Sequence, residues 1–218
     1  MLCFLIFADP GRLTVKKASI LIHLLLCCLI LLSGCSRGAQ LPPLAADGLV
    51  LAFGDSITAG IGAGAGESYP DVLGKLIGRK VVNAGVPGEV SAEGLARLPE
   101  LLEAQKPALL ILCHGGNDLL QRLDQGQTAG NLRAMIRLAR ERGIAVLLVA
   151  VPAPDLSLKP PPFYAELAAK SGLPIEAKIL ARILGKGALK SDYVHPNAAG
   201  YRQLAEALAT LLKKSGAI

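Results

Sequence analysis

The chain has 218 residues, a length that suits one α/β domain and leaves little room for a second. Its formal charge is +6 without any dense run of lysine and arginine, and it has four tyrosines, four phenylalanines and no tryptophan. Nucleic-acid-binding surfaces combine a strong basic patch with aromatic side chains for base stacking, so no nucleic-acid partner is expected.

The first 34 residues are predicted to form a secretory signal peptide. Arg12, Lys16 and Lys17 precede an uncharged apolar run over residues 18–32, and small residues follow it. Basic residues, then an apolar stretch, then small residues at a cleavage site are typical of such signals. The apolar run is shorter than the roughly 20 residues that a membrane-spanning helix needs.

The signal ends in Leu-Ser-Gly-Cys at residues 32–35, which resembles the lipobox of bacterial lipoproteins. The resemblance implies cleavage before Cys35, acylation of its sulfur, and a lipid anchor that holds the protein to a membrane. Ser36, rather than an aspartate, favours the periplasmic side of the outer membrane of a Gram-negative cell. An ordinary signal anchor with a chance cysteine is the alternative. Residues 35–47 contain Gly, Pro and Ala without periodicity and are predicted to form the lipidated tether.

From residue 48 onward, short apolar runs alternate with longer amphipathic stretches. Strands are predicted over residues 49–53, 80–83, 107–113 and 144–151, with a short fifth strand at Ile175. Helices are predicted from a Ser68 cap and over residues 91–105, 128–142, 163–170 and 197–212. Such alternation with nearly continuous apolar strands indicates a parallel sheet covered on both faces. Residues 48–218 are therefore predicted to form a three-layer α/β/α sandwich with a five-stranded parallel sheet.

Polar clusters follow three of the predicted strands. They read Gly-Asp-Ser-Ile-Thr at 54–58, Asn-Ala-Gly-Val-Pro-Gly at 83–88, and Gly-Gly-Asn-Asp at 115–118. A fourth cluster, Asp-Tyr-Val-His-Pro-Asn at 192–197, precedes the last predicted helix. In open parallel sheets, ligands bind outside the carboxyl ends of the strands, so we expect these clusters to share one cleft.

The residue types in these clusters suit acyl transfer. The hydroxyl of Ser56 becomes a good nucleophile only when a neighbouring base takes its proton. His195 lies beside a carboxylate and a helix start, and imidazole titrates in a range that suits a general base at neutral pH. Asp192, three residues earlier, can reach the other ring nitrogen and orient the base. The backbone N–H groups of Ser56 and Gly88, with the side-chain amide of Asn117, are the candidate donors to a developing oxyanion.

Together, the four clusters resemble the motifs of the SGNH, or GDSL, hydrolase family, and in particular its bacterial thioesterases, arylesterases and lysophospholipases. The resemblance implies a flavodoxin-like SGNH-hydrolase fold. It also implies Ser56, Asp192 and His195 as catalytic residues, Ser56, Gly88 and Asn117 as the oxyanion hole, and no metal or cofactor. Ile57 stands where many members have leucine. Residues 152–162 match nothing in the family pattern, so the substrate stays open.

Several of these residues also have simpler interpretations. Ser56 is in a position where serine often caps a helix, and Asp118 and Asp55 are expected to brace their loops rather than to react. Cys113 and His114 suggest a reactive pair or metal ligands, but adjacent strand residues point to opposite faces and no further ligand lies nearby. Cys113 is therefore predicted to pack in the core, and His114 to line the cleft wall.

The sequence thus favours a monomeric serine esterase that hydrolyses carboxylic esters or thioesters through an acyl-enzyme. A membrane tether makes lysophospholipids and other lipid esters suitable substrates. Removal of acetyl groups from envelope carbohydrate is an alternative within the same chemistry. A non-catalytic lipoprotein that binds lipid or glycan in the cleft is an alternative of another class. Activity is expected to fall as the catalytic imidazole is protonated, at about pH 6 to 7.

Overall fold

The computed structural model of the chain describes residues 38–218. The predicted signal peptide and Cys35 lie outside the described residues. Five parallel strands form one sheet in the order β2-β1-β3-β4-β5. The strands are β1 (Val50–Gly54), β2 (Val81–Gly85), β3 (Leu109–Cys113), β4 (Ala145–Val149) and β5 (Ile175–Glu176). The predicted five-stranded parallel sheet is therefore confirmed.

Helices cover both faces of this sheet. They are α1 (Ser56–Ala59), α2 (Tyr69–Ile77), α3 (Ser91–Gln105), α4 (Gly116–Leu120), α5 (Gln125–Arg140), α6 (Pro162–Ser171), α7 (Ile179–Leu184) and α8 (Ala198–Lys214), with a 3₁₀ turn over Gly187–Leu189. Helix α2 packs against α8, whereas α3 packs against α5 and α5 against α6. The predicted three-layer α/β/α fold is confirmed. No helix among residues 38–218 combines the length and apolar character that crossing a bilayer requires.

The central strands and the longer helices form for local reasons that the sequence shows. Every residue of β1 and β3 is buried, as expected for parallel strands covered on both faces. Asn197 begins α8 by accepting a hydrogen bond from the N–H of Gly200 at 3.1 Å, and Ser68 caps α2 in the same manner. These caps fix where the helices start, and α8 therefore begins three residues after His195.

The close fit between β2 and α1 positions the region around Ser56. A Cβ atom on Gly85 would overlap the backbone nitrogen of Ala59, so only glycine permits this approach. Asn83 supports the same junction: its side-chain oxygen accepts a hydrogen bond from the N–H of Gly85 at 3.0 Å, and its amide donates to the carbonyl of Ala59 at 3.4 Å. The end of β2 is thereby held beside α1.

The first described residues run along the domain. The N–H groups of Leu41 and Leu44 donate to the carbonyls of Ser215 and Ala217, each at 2.8 Å, and both leucine side chains are 8% exposed. The side chain of Arg79, just before β2, donates to the carbonyl of Leu44 at 3.5 Å. This junction therefore lies at the edge where the strands begin. Leu41 and Leu44 belong to the predicted tether, and in the structure their backbone hydrogen bonds and buried side chains join them to the domain.

Candidate active site

Three of the predicted site residues meet at the carboxyl edge of the sheet. Ser56 is the first residue of α1, two residues after the last residue of β1, and its Oγ lies 2.9 Å from Nε2 of His195. Nδ1 of His195 lies 2.7 Å from Oδ2 of Asp192. Because an anionic carboxylate is only an acceptor, Nδ1 carries the imidazole proton and Nε2 is free to accept the serine proton. The arrangement is a relay in which the serine hydroxyl bonds to the imidazole and the imidazole bonds to the carboxylate.

Asp192 contacts both the backbone and the imidazole ring of His195. Oδ1 of Asp192 accepts hydrogen bonds from the N–H groups of Val194 and His195, both at 2.8 Å. Partial burial opposes the charge, but the hydrogen bonds from His195 and Val194 prevail and lower the pKa of the Asp192 carboxyl. Asp192 is therefore an anion at neutral pH. Its side chain is half-exposed, whereas the ring of His195 is 18% exposed.

Asp55 supports the serine without touching the relay. Its carboxylate caps α1 by accepting the N–H of Ile57 at 3.1 Å, which is the bracing role predicted for it. Burial raises the pKa of Asp55, although the neighbouring His114 and the N–H of Ile57 oppose the shift. The hydrogen bond fixes the first turn of α1, and this turn sets the position of Ser56.

The two other candidate oxyanion donors are Gly88, on the loop after β2, and Asn117, in the first turn of α4 after β3. Asn117 lines the same cleft as Ser56 and His195, and its Nδ2 donates to the carbonyl oxygen of Glu89 at 2.9 Å. Gly88 has a φ of +81°, a conformation that favours glycine, and no atom lies within 4 Å of the position that a Cβ would take. A substrate can therefore approach the backbone of Gly88 closely. The roles of Gly88 and Asn117 as oxyanion donors stay predictions.

The prediction that His114 lines the cleft wall is wrong. His114 is fully buried, and its Nε2 lies 3.0 Å from Oε2 of Glu89. The N–H of Gly115 donates to Nδ1 of His114 at 2.9 Å, so the ring proton is on Nε2 and is donated to Glu89. Glu89 was not predicted as a site residue, because its contact with His114 joins positions 25 residues apart along the chain. A buried glutamate beside a candidate oxyanion glycine leaves no local signal in the sequence.

Glu89 also pairs with Arg97 of α3. Nε and Nη2 of Arg97 lie 2.5 Å and 2.7 Å from the two carboxylate oxygens of Glu89. Burial alone raises the pKa of Glu89, but the hydrogen bonds from His114 and Arg97 and the Arg97 charge outweigh it and lower the pKa to about 2. Glu89 is therefore a carboxylate at neutral pH.

The structural roles predicted for Asp118 and Cys113 are confirmed. Asp118 accepts hydrogen bonds from the backbone N–H of Ser91 at 2.8 Å and from the hydroxyl of Thr128 at 3.1 Å, which ties α4 to α3 and α5. Cys113 is fully buried in the core, and burial raises the pKa of its thiol. Within residues 38–218, no three side chains of the His, Cys, Asp and Glu types are grouped as metal ligands.

Beside the relay lies a groove with mainly apolar walls. Its apolar lining includes Leu120 of α4, Val151, Pro152 and Leu158 of the loop after β4, and Leu184 of α7. Ser56, Asn117 and His195 lie at its polar end. The sequence pattern did not point to Leu158 or Leu184, since one is in a segment without a family match and the other is in a helix that was not predicted.

A nucleophilic serine, an imidazole base and an orienting carboxylate at the edge of this sheet define a serine hydrolase that acts on ester bonds. Comparison with known proteins agrees with this class. Residues 52–203 match the sequence model of the GDSL-like Lipase/Acylhydrolase family. The chain belongs to that family.

Named relatives and solved structures are similar over most of the chain. Esterase TesA of Pseudomonas aeruginosa is 34% identical over 196 residues, which cover 84% of this chain and 97% of TesA. The thioesterase 1/protease 1/lysophospholipase L1 of Escherichia coli K12 is 30% identical over 161 residues, which cover 70% and 77% of the two chains. The crystal structure of AlinE4, a SGNH-hydrolase family esterase, superposes with a TM-score of 0.61 at 31% identity, covering 79% of this chain and 98% of AlinE4.

Proposed function

We propose that the chain hydrolyses carboxylic esters or thioesters, in the manner of a lysophospholipase or arylesterase, through an acyl-enzyme formed on Ser56. The observation that carries the proposal is the continuous relay from the Ser56 hydroxyl through His195 to Asp192, with contacts of 2.9 Å and 2.7 Å. Both distances are those of formed hydrogen bonds, so no rearrangement is needed before the proton moves. A binding cleft without catalysis has no need of this relay.

The geometry supports a two-stage reaction. As the Ser56 oxygen bonds to the acyl carbon, its proton passes to Nε2 of His195, and the Asp192 carboxylate stabilises the resulting imidazolium. When the tetrahedral intermediate collapses, the ester C–O bond breaks, and His195 returns the proton to the departing alcohol. A water molecule then attacks the acyl-enzyme, losing its proton to His195, and the acid is released as Ser56 regains its hydrogen.

The oxyanion of each intermediate needs hydrogen-bond donors that are already in place. The backbone N–H groups of Ser56 and Gly88 are candidate donors. The side chain of Asn117 uses one of its two N–H bonds on Glu89, which leaves the other for the substrate oxygen. Removing one such donor typically costs about 100-fold to 1,000-fold in kcat.

The apolar groove favours a substrate with an apolar acyl group. Leucine, valine and proline side chains line it beyond the relay, and they exclude water from an acyl chain that lies along them. Large apolar side chains at its mouth are also exposed: Leu120 lines it at 46% exposure and Tyr193 at 89%. A lysophospholipid or a similar single-chain lipid ester presents a matching apolar chain beside a polar leaving group. The E. coli relative carries lysophospholipase in its name.

A lipid anchor at Cys35 on the periplasmic side of the outer membrane is part of this proposal. Its support is the signal pattern and the Leu-Ser-Gly-Cys sequence at residues 32–35. Expression of the full chain in a Gram-negative host with an alkynyl palmitate, followed by fluorophore coupling, tests it. The wild type should carry the label in the outer-membrane fraction, and Cys35→Ser should not. An unlabelled wild type would contradict the anchor and leave the hydrolytic proposal intact.

Turnover of a series of p-nitrophenyl esters, from acetyl to palmitoyl, tests the hydrolytic proposal, with lysophosphatidylcholine as a natural-type substrate. The wild type should hydrolyse the esters and Ser56→Ala should not. A fluorophosphonate probe should label the peptide that contains Ser56. Full activity in Ser56→Ala, or labelling of a different residue, would refute the mechanism. A preference for acetyl alone would favour removal of acetyl groups from carbohydrate, and absence of turnover would favour a binding protein.

A further inference from the structure

The carboxylate of Glu89 is buried and fixed from two sides. Glu89 is 6% exposed, and its oxygens contact Nε and Nη2 of Arg97 from α3 and Nε2 of His114 from the end of β3. A bidentate arginine contact combined with a third donor fixes both the position and the rotation of a carboxylate. The side chain of Glu89 therefore holds its own backbone in one place.

The backbone of Glu89 is in direct contact with the proposed oxyanion hole. Its carbonyl oxygen accepts one hydrogen from Nδ2 of Asn117 at 2.9 Å. Its nitrogen is joined to Gly88, and its N–H donates to the carbonyl of Val86 at 3.3 Å to close the loop after β2. Glu89 thus contacts Asn117 through its backbone carbonyl and is joined to Gly88 by a peptide bond.

Arg97 connects Glu89 to the ends of two strands. Its Nη2 donates to the carbonyl of Ala84 at 2.9 Å and to that of Gly54 at 3.4 Å, and its guanidinium lies 4.2 Å from the centre of the Phe53 ring. Gly54 is the last residue of β1, two residues before Ser56. The guanidinium therefore links the strand that precedes the nucleophile to Glu89, whose carbonyl accepts a hydrogen bond from Asn117.

We propose that Glu89, held by Arg97 and His114, is a positioning residue that sets the direction of the Asn117 amide in the oxyanion hole. This inference rests on the proposed function. Replacing Glu89 by glutamine removes the anionic partner of Arg97 and turns one acceptor oxygen into an NH2 group, which cannot accept from Arg97 or His114. The backbone carbonyl of residue 89 is thereby released from its fixed position. The free N–H of Asn117 then points away from the oxyanion for part of the time. A purely structural Glu89 would affect stability and leave turnover per active site unchanged.

The experiment measures kcat and KM of the full chain with p-nitrophenyl acetate, per active site counted by end-point fluorophosphonate labelling. Glu89→Gln should lower kcat by about tenfold and change KM by less than about twofold, because an oxyanion donor acts in the transition state. Arg97→Lys keeps the positive charge but loses the bidentate contact, and it should also lower kcat. It replaces Glu89→Gln as the test if that variant does not fold. Unchanged kcat in a folded variant would overturn the proposal.

Glu93→Ala is the matched control. Glu93 is exposed on α3, and its carboxylate accepts the N–H of Val90 at 3.1 Å. The variant loses a charged contact at the same helix start, so its melting temperature should fall while kcat stays that of the wild type. If Glu93→Ala and Glu89→Gln lower kcat equally, the effect comes from the helix start, and the positioning role is refuted.

A double-mutant cycle separates action through Asn117 from an independent effect. If Glu89 acts through Asn117, the variant Glu89→Gln/Asn117→Ala should have the same kcat as Asn117→Ala alone. A double variant about tenfold slower than Asn117→Ala would show independent effects and overturn the proposal. Ser56→Ala distinguishes failure of the proposed function from failure of the inference about Glu89. If Ser56→Ala stays active, the proposed function itself fails, whereas inactive Ser56→Ala with normal Glu89→Gln refutes only the inference about Glu89.

Discussion

Replacing Asp192 by asparagine should inactivate the relay and leave its loop intact. The carbonyl oxygen of an asparagine can still accept the N–H groups of Val194 and His195, as Oδ1 of Asp192 does at 2.8 Å. Its amide group then faces Nδ1 of His195, where the carboxylate oxygen now lies at 2.7 Å. An amide donates to Nδ1, so the imidazole proton moves to Nε2. That nitrogen then has no lone pair with which to accept the proton of Ser56.

The size of this effect follows from the exposure of Asp192. The same replacement at a buried triad aspartate costs about 10,000-fold in kcat in the serine protease case. The side chain of Asp192 is 50% exposed, so an asparagine can rotate toward water and release the ring for part of the time. We therefore expect a smaller loss for Asp192→Asn, about 100-fold to 1,000-fold in kcat, or about 3 to 4 kcal/mol of activation free energy.

Turnover of p-nitrophenyl acetate per fluorophosphonate-labelled site measures this loss, with the melting temperature recorded for each variant. Ser191→Ala is a suitable control, since its hydroxyl contacts the carbonyls of His195 and Pro196 in the same loop without touching the relay. The control should keep kcat within about twofold of the wild type, as is usual for an exposed contact outside the chemistry. If Asp192→Asn retains more than half of the wild-type kcat, the proposed role of Asp192 is refuted.

Three further predictions concern stability and reactivity. The pKa of Glu89 is about 2 in the folded protein, compared with an ordinary value of 4.5. The wild type should therefore lose about 3 kcal/mol of unfolding free energy as the pH falls from about 5 to 2. Urea titrations of Glu89→Gln should not show that loss. Tyr164→Phe removes a buried 2.7 Å hydrogen bond to the carbonyl of His114 and should cost about 1 to 2 kcal/mol in the same assay; an unchanged midpoint would contradict it. Cys113 should resist iodoacetamide until the chain unfolds, and its modification in native protein, detected by peptide mapping, would show an accessible thiol.

Elements with strong local signals were predictable from the sequence. Helix α3 covers Ser91–Gln105, the predicted range, and α2 begins after its Ser68 cap. The helix α7 (Ile179–Leu184) was missed because it is short and no side chain caps its start. The short helices α1 and α4 begin in polar and glycine-rich clusters that also suit turns. The strand order within the sheet depends on contacts between distant segments, which apolar periodicity does not encode.

The candidate site divides in the same manner. Ser56, Asp192 and His195 were found because each lies in a short cluster whose residue types suit one reaction. Strand alternation correctly separated Cys113 from His114, but it did not show what covers His114 on its own side of the sheet. The covering group is Glu89, which is 25 residues away along the chain. A sequence in isolation gives no sign that a loop glutamate is buried against a strand histidine.

The backbone pairing of Leu41 with Ser215 and of Leu44 with Ala217 brings both ends of the described domain to the same place. The strands of the sheet, about 15 Å long, separate that place from the catalytic groove. A bead, a fusion partner or any other support joined at either end therefore leaves the groove open to the solvent. The two ends are also near enough for a short linker to join them, so a circular permutant opened in an exposed loop should keep the groove assembled.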